Sequence, residues 1–220
     1  CTFDNIILDR PNHGVITFQF STSGLNGDTL NITITEGTPI SFSLVSGNGN
    51  SIGTNNASLS TSIPSFGVNI LDASGSNTNL GNGQSISISL ISNGSLGIGG
   101  TLNQFVSGSI VTFNDLTLNS PKAGSYIFEL SGSGMNSLNV EFVVGSGSPN
   151  SIVASSFNSG PYQTSSLITL GSIVIDILGI GGDITSQPSG GLNITITNLS
   201  LGISTTVSSS NGQSNFNSIS

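Results

Sequence analysis

Short stretches of this chain alternate apolar and polar residues with a period of two. The alternation is clear in Val15-Ile16-Thr17-Phe18-Gln19-Phe20, in Ser85-Ile86-Ser87-Ile88-Ser89-Leu90 and in Asn193-Ile194-Thr195-Ile196. That period sends successive side chains to opposite faces, so each stretch predicts a β-strand with one face on a core and one in water. Clusters such as Ser46-Gly47-Asn48-Gly49-Asn50 and Gly145-Ser146-Gly147-Ser148-Pro149 separate the strands. Gly and Asn reach positive φ cheaply, and Pro and Ser favour turns. The most apolar run, Leu167–Leu178, contains Asp176 and two small residues. It is too short to cross a bilayer as a helix, and its β-branched content predicts a buried strand.

Composition narrows the class. Of 220 residues only 5% are charged, against about 25% in ordinary soluble domains. Two Lys+Arg against ten Asp+Glu give a net charge of −8. Two cations cannot make the basic face that neutralises phosphates, so a nucleic-acid partner is not expected. The single Cys excludes both an internal disulfide and a multi-Cys zinc site. Good helix formers are scarce, and a 35% hydrophobic content argues against disorder. An all-β protein remains.

The chain repeats itself. The opening Cys1-Thr2-Phe3-Asp4-Asn5-Ile6-Ile7-Leu8 aligns with Val111-Thr112-Phe113-Asn114-Asp115-Leu116-Thr117-Leu118, and Ser214-Asn215-Phe216 aligns with the start of the same motif. Gly14–Phe20 aligns with Gly124–Leu130, Leu30–Ile34 with Leu138–Phe142, Ser43–Ser46 with Ser151–Ala154, and Asn93–Ile98 with Asn198–Ile203. The order is preserved, with a period of roughly 105 residues, the size of an immunoglobulin-like sandwich of about seven strands.

The middle copy resembles bacterial immunoglobulin-like repeats of the invasin and filamin type. The resemblance rests on Ser43-Leu44-Val45-Ser46-Gly47-Asn48, Gly67-Val68-Asn69-Ile70-Leu71-Asp72-Ala73-Ser74-Gly75, Val111–Leu116 and Ala123–Phe128. It departs from that pattern after the turn at Asp72, where Ser76-Asn77 replaces the usual Asn-Pro. The resemblance implies tandem immunoglobulin-like β-sandwiches. The register predicts one complete repeat over 40–149, preceded by the last strands of a repeat in 1–39 and followed by the first strands of another in 150–220. Half-sandwiches expose apolar faces and open edges. Each is therefore expected to be completed by further repeats of a longer array or by strand donation from a neighbouring copy, and the unbroken connections between repeats favour the array. In the middle copy, Ile70, Ile88, Phe113, Leu116, Phe128 and Phe142 are expected to be buried. Phe3, Ile6 and Leu8 at the start, and Ile173, Ile175, Ile177, Ile194 and Ile196 near the end, are expected to face cores that neither terminal part encloses alone.

No catalytic constellation emerges. His13, the only His, sits in a Pro-Asn-His-Gly turn without metal or triad partners. Cys1 aligns with Val111 and behaves as a small core residue. The resemblance raises an intramolecular Lys–Asn isopeptide, but Lys122 follows Pro121 in a loop where that chemistry would need a buried strand position. The acids Asp4, Asp9, Asp28, Glu36, Asp72, Asp115, Glu129, Glu141, Asp176 and Asp183 are scattered and form no calcium-loop spacing. Asp72 and Asp176 are expected at matched strand ends. No enzyme activity, cofactor or metal is therefore predicted. The Asn-x-Ser/Thr sequons at Asn31, Asn56, Asn93, Asn193 and Asn198 are candidate glycosylation sites. The pattern predicts an inert structural repeat in an extracellular filament, stalk or cell-surface appendage. The stalk of an adhesin and a subunit polymerised by strand donation are the alternatives. The expected partners are copies of the chain itself, end to end, and glycans.

Overall fold

The computed structural model describes residues 2–9, 11–45, 49–81, 83–92, 97–157, 160, 172–185, 191–200 and 202–217. Every regular element among them is a strand, as the alternation predicts. In chain order these are β1 (Gly14–Phe20), β2 (Asp28–Ile34), β3 (Ser41–Leu44), β4 (Ser51–Asn56), β5 (Ser60–Ser62), β6 (Phe66–Leu71), β7 (Ser85–Leu90), β8 (Ile98–Gly99) and β9 (Asn103–Phe105). They continue as β10 (Ile110–Phe113), β11 (Thr117–Asn119), β12 (Gly124–Gly132), β13 (Leu138–Gly145), β14 (Pro149–Ser156), β15 (Ile173–Gly179), β16 (Asn193–Asn198), β17 (Ile203–Ser208) and β18 (Gln213–Phe216). No helix among the described residues is long and apolar enough to cross a membrane.

Strands β3 to β13 share one hydrophobic core. A five-stranded sheet in the order β4-β13-β12-β7-β9 contributes to it, together with the three-stranded sheets β10-β6-β3 and β5-β11-β8. Most strands are antiparallel, but β13 pairs with β4 in parallel. Ile70, Ile88, Phe113, Leu116, Phe128 and Phe142 are all buried, as expected from the alternation. Phe66 and Phe113 stack with ring centroids 5.4 Å apart. Gly100, at φ +98°, packs against the backbone carbonyl of Asp115 so closely that a Cβ there would overlap it. Only Gly satisfies both demands at this turn.

Before this block, β1 and β2 form a hairpin that, among the described residues, pairs only with itself. Phe3, Ile6 and Leu8 are 68%, 59% and 37% exposed, so within the chain they face no core. After the block, β14-β15-β18 form one sheet and β16-β17 another. Here the end is filled in part and open in part, with Ile152 57% exposed. Ile175, Ile177, Ile194 and Phe216 bury one another in a small second core, with Phe216 1% exposed.

The pairings fix the repeat register and correct its alignment. Gly14 pairs with Ile34 and Gly124 with Val144, a shift of 110 on both strands (124 − 14 and 144 − 34). The same shift relates the Leu25–Thr22 and Met135–Gly132 turns. Hence Leu30 corresponds to Val140, not Leu138, and Ile32 to Phe142. Phe42 likewise corresponds to Ile152, since Phe42 pairs with Ile70 and Ile152 with Ile177. The sequence alignment was two residues out in both places.

Candidate functional site: the junctions between blocks

Two short linkers join the three blocks, and both use the same chemistry. In the first, the Thr78 hydroxyl donates to the carbonyl of Gly37 at 2.7 Å. In the second, the Thr185 hydroxyl donates to the carbonyl of Gly147, also at 2.7 Å. The backbone N–H groups of Thr78 and Thr185 bond to the carbonyls of Ile70 and Ile177 at 2.9 Å. Gly37-Thr38-Pro39 and Gly147-Ser148-Pro149 thus occupy equivalent places, each leading into the first strand of the next block. The Pro in each removes a donor and restricts the residue before it to extended geometry. Thr78 and Thr185 are both buried, so each hydroxyl needs its carbonyl partner.

The turn between the first junction's strand and its threonine is held by a carboxylate. Asp72 Oδ1 accepts from the Ser74 hydroxyl at 2.6 Å, from the Ser74 N–H at 2.9 Å and from the Ser76 N–H at 3.0 Å. Its Oδ2 accepts from the linker N–H of Gly37 at 3.3 Å. The Ser74 hydroxyl, helped by the backbone donors and opposed by desolvation, holds the carboxyl below its usual range. The Ser76 hydroxyl donates to Asn12 Oδ1 at 2.6 Å, tying this turn to the first block.

The second junction is built on different residues. By the turn bonds Gly75–Asp72 and Gly182–Gly179, the counterpart of Asp72 is Gly179, and that of Ser76 is Asp183. This corrects the expected match of Asp72 with Asp176. Asp176 lies inside β15, where Gln213 Nε2 donates to it at 2.6 Å. Both carboxylate oxygens of Asp183 are buried without a hydrogen-bond partner. Gly181 presses on the carbonyl of Pro121, and Ile180 packs on the main core. On the main-block side of this contact the Tyr126 hydroxyl donates to the Lys122 carbonyl at 2.9 Å. Burial pushes the Tyr126 phenol up, and the negative charge of Asp183 pushes it the same way.

The sequence-predicted sites do not converge. Asn31 lies in β2, exposed, and accepts from the Thr17 hydroxyl at 2.7 Å. Asn56 ends β4 and is exposed. Asn193 and Asn198 begin and end β16, both exposed, and accept from the Ser208 hydroxyl at 2.6 Å and the Ser200 N–H at 3.0 Å. Asn93, Cys1 and Arg10 lie outside the described residues. His13 is exposed just before β1, and Lys122 is exposed in the loop before β12. Among the described residues no three His, Cys, Asp or Glu side chains gather as metal ligands. What sequence reading missed was the junction itself. Its signal was the repeated Gly-Thr/Ser-Pro, paired with a Thr on the far side of each turn.

No protein-family model matches the chain, and no curated protein sequence is significantly similar to it. Solved structures with partial likeness include a glycosyl hydrolase family 2 member from Bacteroides cellulosilyticus, with TM-score 0.38 and 12% identity over 60% of this chain and 17% of that one. Domains 4-9 of the surface layer protein SbsC give a TM-score of 0.34 and 13% identity over 88% of this chain and 30% of that one. Domains 5-6 of the S-layer protein SbsC give 0.27 and 11%, covering 81% of each chain. The chain thus spans less than a third of the first two. Scores of this size carry nothing about activity or partners.

Proposed function

We propose that this chain is a non-catalytic structural segment of a cell-surface or extracellular assembly, in which immunoglobulin-like sandwiches are stacked in tandem. The observation that carries this reading is the junction built twice from the same bonds, Thr78 to Gly37 and Thr185 to Gly147. A linker that is hydrogen-bonded and proline-stiffened the same way each time fixes one inter-unit angle and repeats it. Repetition and stiffness are what a filament, stalk or surface layer requires. The acidic, Lys-poor surface supports it too, since like charge opposes lateral clumping. On this reading the exposed sequons at Asn31, Asn56, Asn193 and Asn198, with Asn93, are the places for glycans, and mass spectrometry of native material tests their occupancy.

The decisive experiment removes the junction bonds. Thr78→Val and Thr185→Val keep the shape and delete the donor; the second leaves the buried Gly147 carbonyl short of a partner at a cost of about 1–3 kcal/mol, and the first, at the exposed Gly37, costs less. The double variant should keep its strand content and lose its fixed stacking, seen as a broadened distance distribution in small-angle X-ray scattering. An unchanged distribution would remove the observation on which the reading stands.

A further inference from the structure

Two faces of this chain lack partners, and they are the two parts that the middle block brings together. We propose that the β1–β2 hairpin of one copy docks into the open side of the β14–β18 block of the next, pairing β1 with β16 and completing a sandwich between chains. The inference rests on the structural reading above and names the partner for it: a second copy of this chain.

The hairpin presents an apolar face covered only by Phe3, whose ring lies 5.9 Å from that of Phe20 and is itself 68% exposed. Phe20, Leu30 and Ile32 are 39%, 50% and 37% exposed. With the shift of 110 their counterparts are Leu130, Val140 and Phe142, each 0% exposed in the main core. The same strands that are buried in one block are thus bare in another. Among the described residues the other edge of β1 is also bare, because β1 pairs there with β2 alone. Its counterpart β12 pairs on its other side with β7.

The other end presents the complementary vacancy. The bond from the Ser209 N–H to the Leu192 carbonyl at 2.7 Å mirrors that from Val106 to Gln84 at 3.0 Å, which makes β16 the counterpart of β7 with a shift of 108 (192 − 84). Strand β7 is paired on both edges, by β9 and by β12, whereas among the described residues β16 is paired only by β17. Beside it lies a groove of about 360 Å³ lined by Pro149, Asn150, Ser151, Ile152, Ile177 and Leu192. Ile152, at 57% exposure, stands where Phe42, at 7%, stands in the middle block. What covers the middle groove is the β12–β13 hairpin, and β1–β2 is that hairpin's counterpart. Two free edges and two apolar faces of matching register are the ingredients of strand addition.

The middle block also dictates the register. There Phe128, Glu129 and Leu130 lie opposite Leu90, Ser89 and Ile88. Applying the two shifts places Phe18 opposite Asn198, Gln19 opposite Thr197 and Phe20 opposite Ile196 of the next copy. Phe216 already occupies, beside β15, the place that Phe113 holds beside β6. The incoming element is therefore the hairpin, and Phe3, which rests on Phe20, does not take the place that Phe216 fills.

Cysteine crosslinking in a Cys1→Ser background reads the register directly. Directly opposite residues on antiparallel strands have Cβ atoms about 4.5–5.5 Å apart, against about 7–8 Å after a slip of two. A disulfide needs the shorter spacing. Gln19→Cys with Thr197→Cys should give a reducible ladder of multimers on mild oxidation. Gln19→Cys with Thr195→Cys should remain uncrosslinked and run as single chains on a denaturing, non-reducing gel. The unmodified chain should sediment as concentration-dependent oligomers, and Phe18→Asp should return it to monomer while circular dichroism still reports a folded main block. Equal crosslinking by both cysteine pairs, or a monomer at every concentration, overturns the docking. A monomer that keeps fixed stacking in scattering experiments would overturn the docking alone and leave the structural reading standing.

Discussion

Asp72 turns four donors inward, three from the turn and one from the linker, and so couples a turn to a junction. Asp115 does similar work for a loop, with the Thr101 hydroxyl at 2.7 Å as its main partner and the Thr101 N–H as its second. Both carboxyls are held below the ordinary value of 3.8, in each case chiefly by the hydroxyl partner. A carboxyl whose pKa is depressed by folding adds stability at pH above its unfolded value and loses it as pH falls through the folded value. Thermal stability should therefore be flat from pH 7 to about 5 and fall below about pH 4. In Asp72→Asn and Asp115→Asn combined, the acid-side fall should be shallower and the neutral-pH midpoint lower, measured by circular dichroism melts across that range. Asp72 was legible in the sequence as a turn-former, because its short acceptor fits the Asp-x-Ser-Gly-Ser pattern. Its bond to Gly37 was not legible, because it joins residues 35 positions apart.

Strands are where the sequence spoke most clearly, and where it misled by a fixed amount. Period-two alternation identified β1, β7 and β16, and the repeat alignment carried the same reading to β12 and the inward side chains of the main core. It could not set the alignment of Leu30–Ile34 or Ser43–Ser46 between repeats, because a slip of two residues keeps every apolar side chain on the same face. Only the pairing of Gly14 with Ile34 and of Gly124 with Val144 decides it. The corrected register makes a sharp comparison between Phe128 and its counterpart Phe18. Phe128 is fully buried in β12, so Phe128→Ala should cost about 3–5 kcal/mol, read as a lowered urea midpoint. Phe18 is only half-buried on an uncovered hairpin, so Phe18→Ala should move the midpoint of the monomeric chain by less than about 1 kcal/mol. Equal costs at the two positions would mean that the hairpin is already covered within one chain.

At the scale of the whole molecule, charge acts against association while apolar area favours it. Residues 1–39 carry Asp4, Asp9, Asp28 and Glu36 against Arg10, a net of −3 (1 − 4). Residues 150–220 carry Asp176 and Asp183 and no cation, a net of −2 (0 − 2). The ends proposed to meet therefore repel each other, within a chain of net charge −8. The attraction between them comes from side chains such as Phe20, Leu30 and Ile152, which need no counter-charge. Salt shortens the Debye length from about 30 Å at 0.01 M to about 8 Å at 0.15 M, screening the repulsion and leaving the apolar term intact. End-to-end association should accordingly strengthen as sodium chloride rises from 0.01 to 0.5 M, on the order of tenfold for each 1.4 kcal/mol of repulsion removed. Sedimentation equilibrium at a series of salt concentrations measures this. Weakening with salt would mean that ion pairs hold the ends together, and these two segments have a single arginine between them with which to make one.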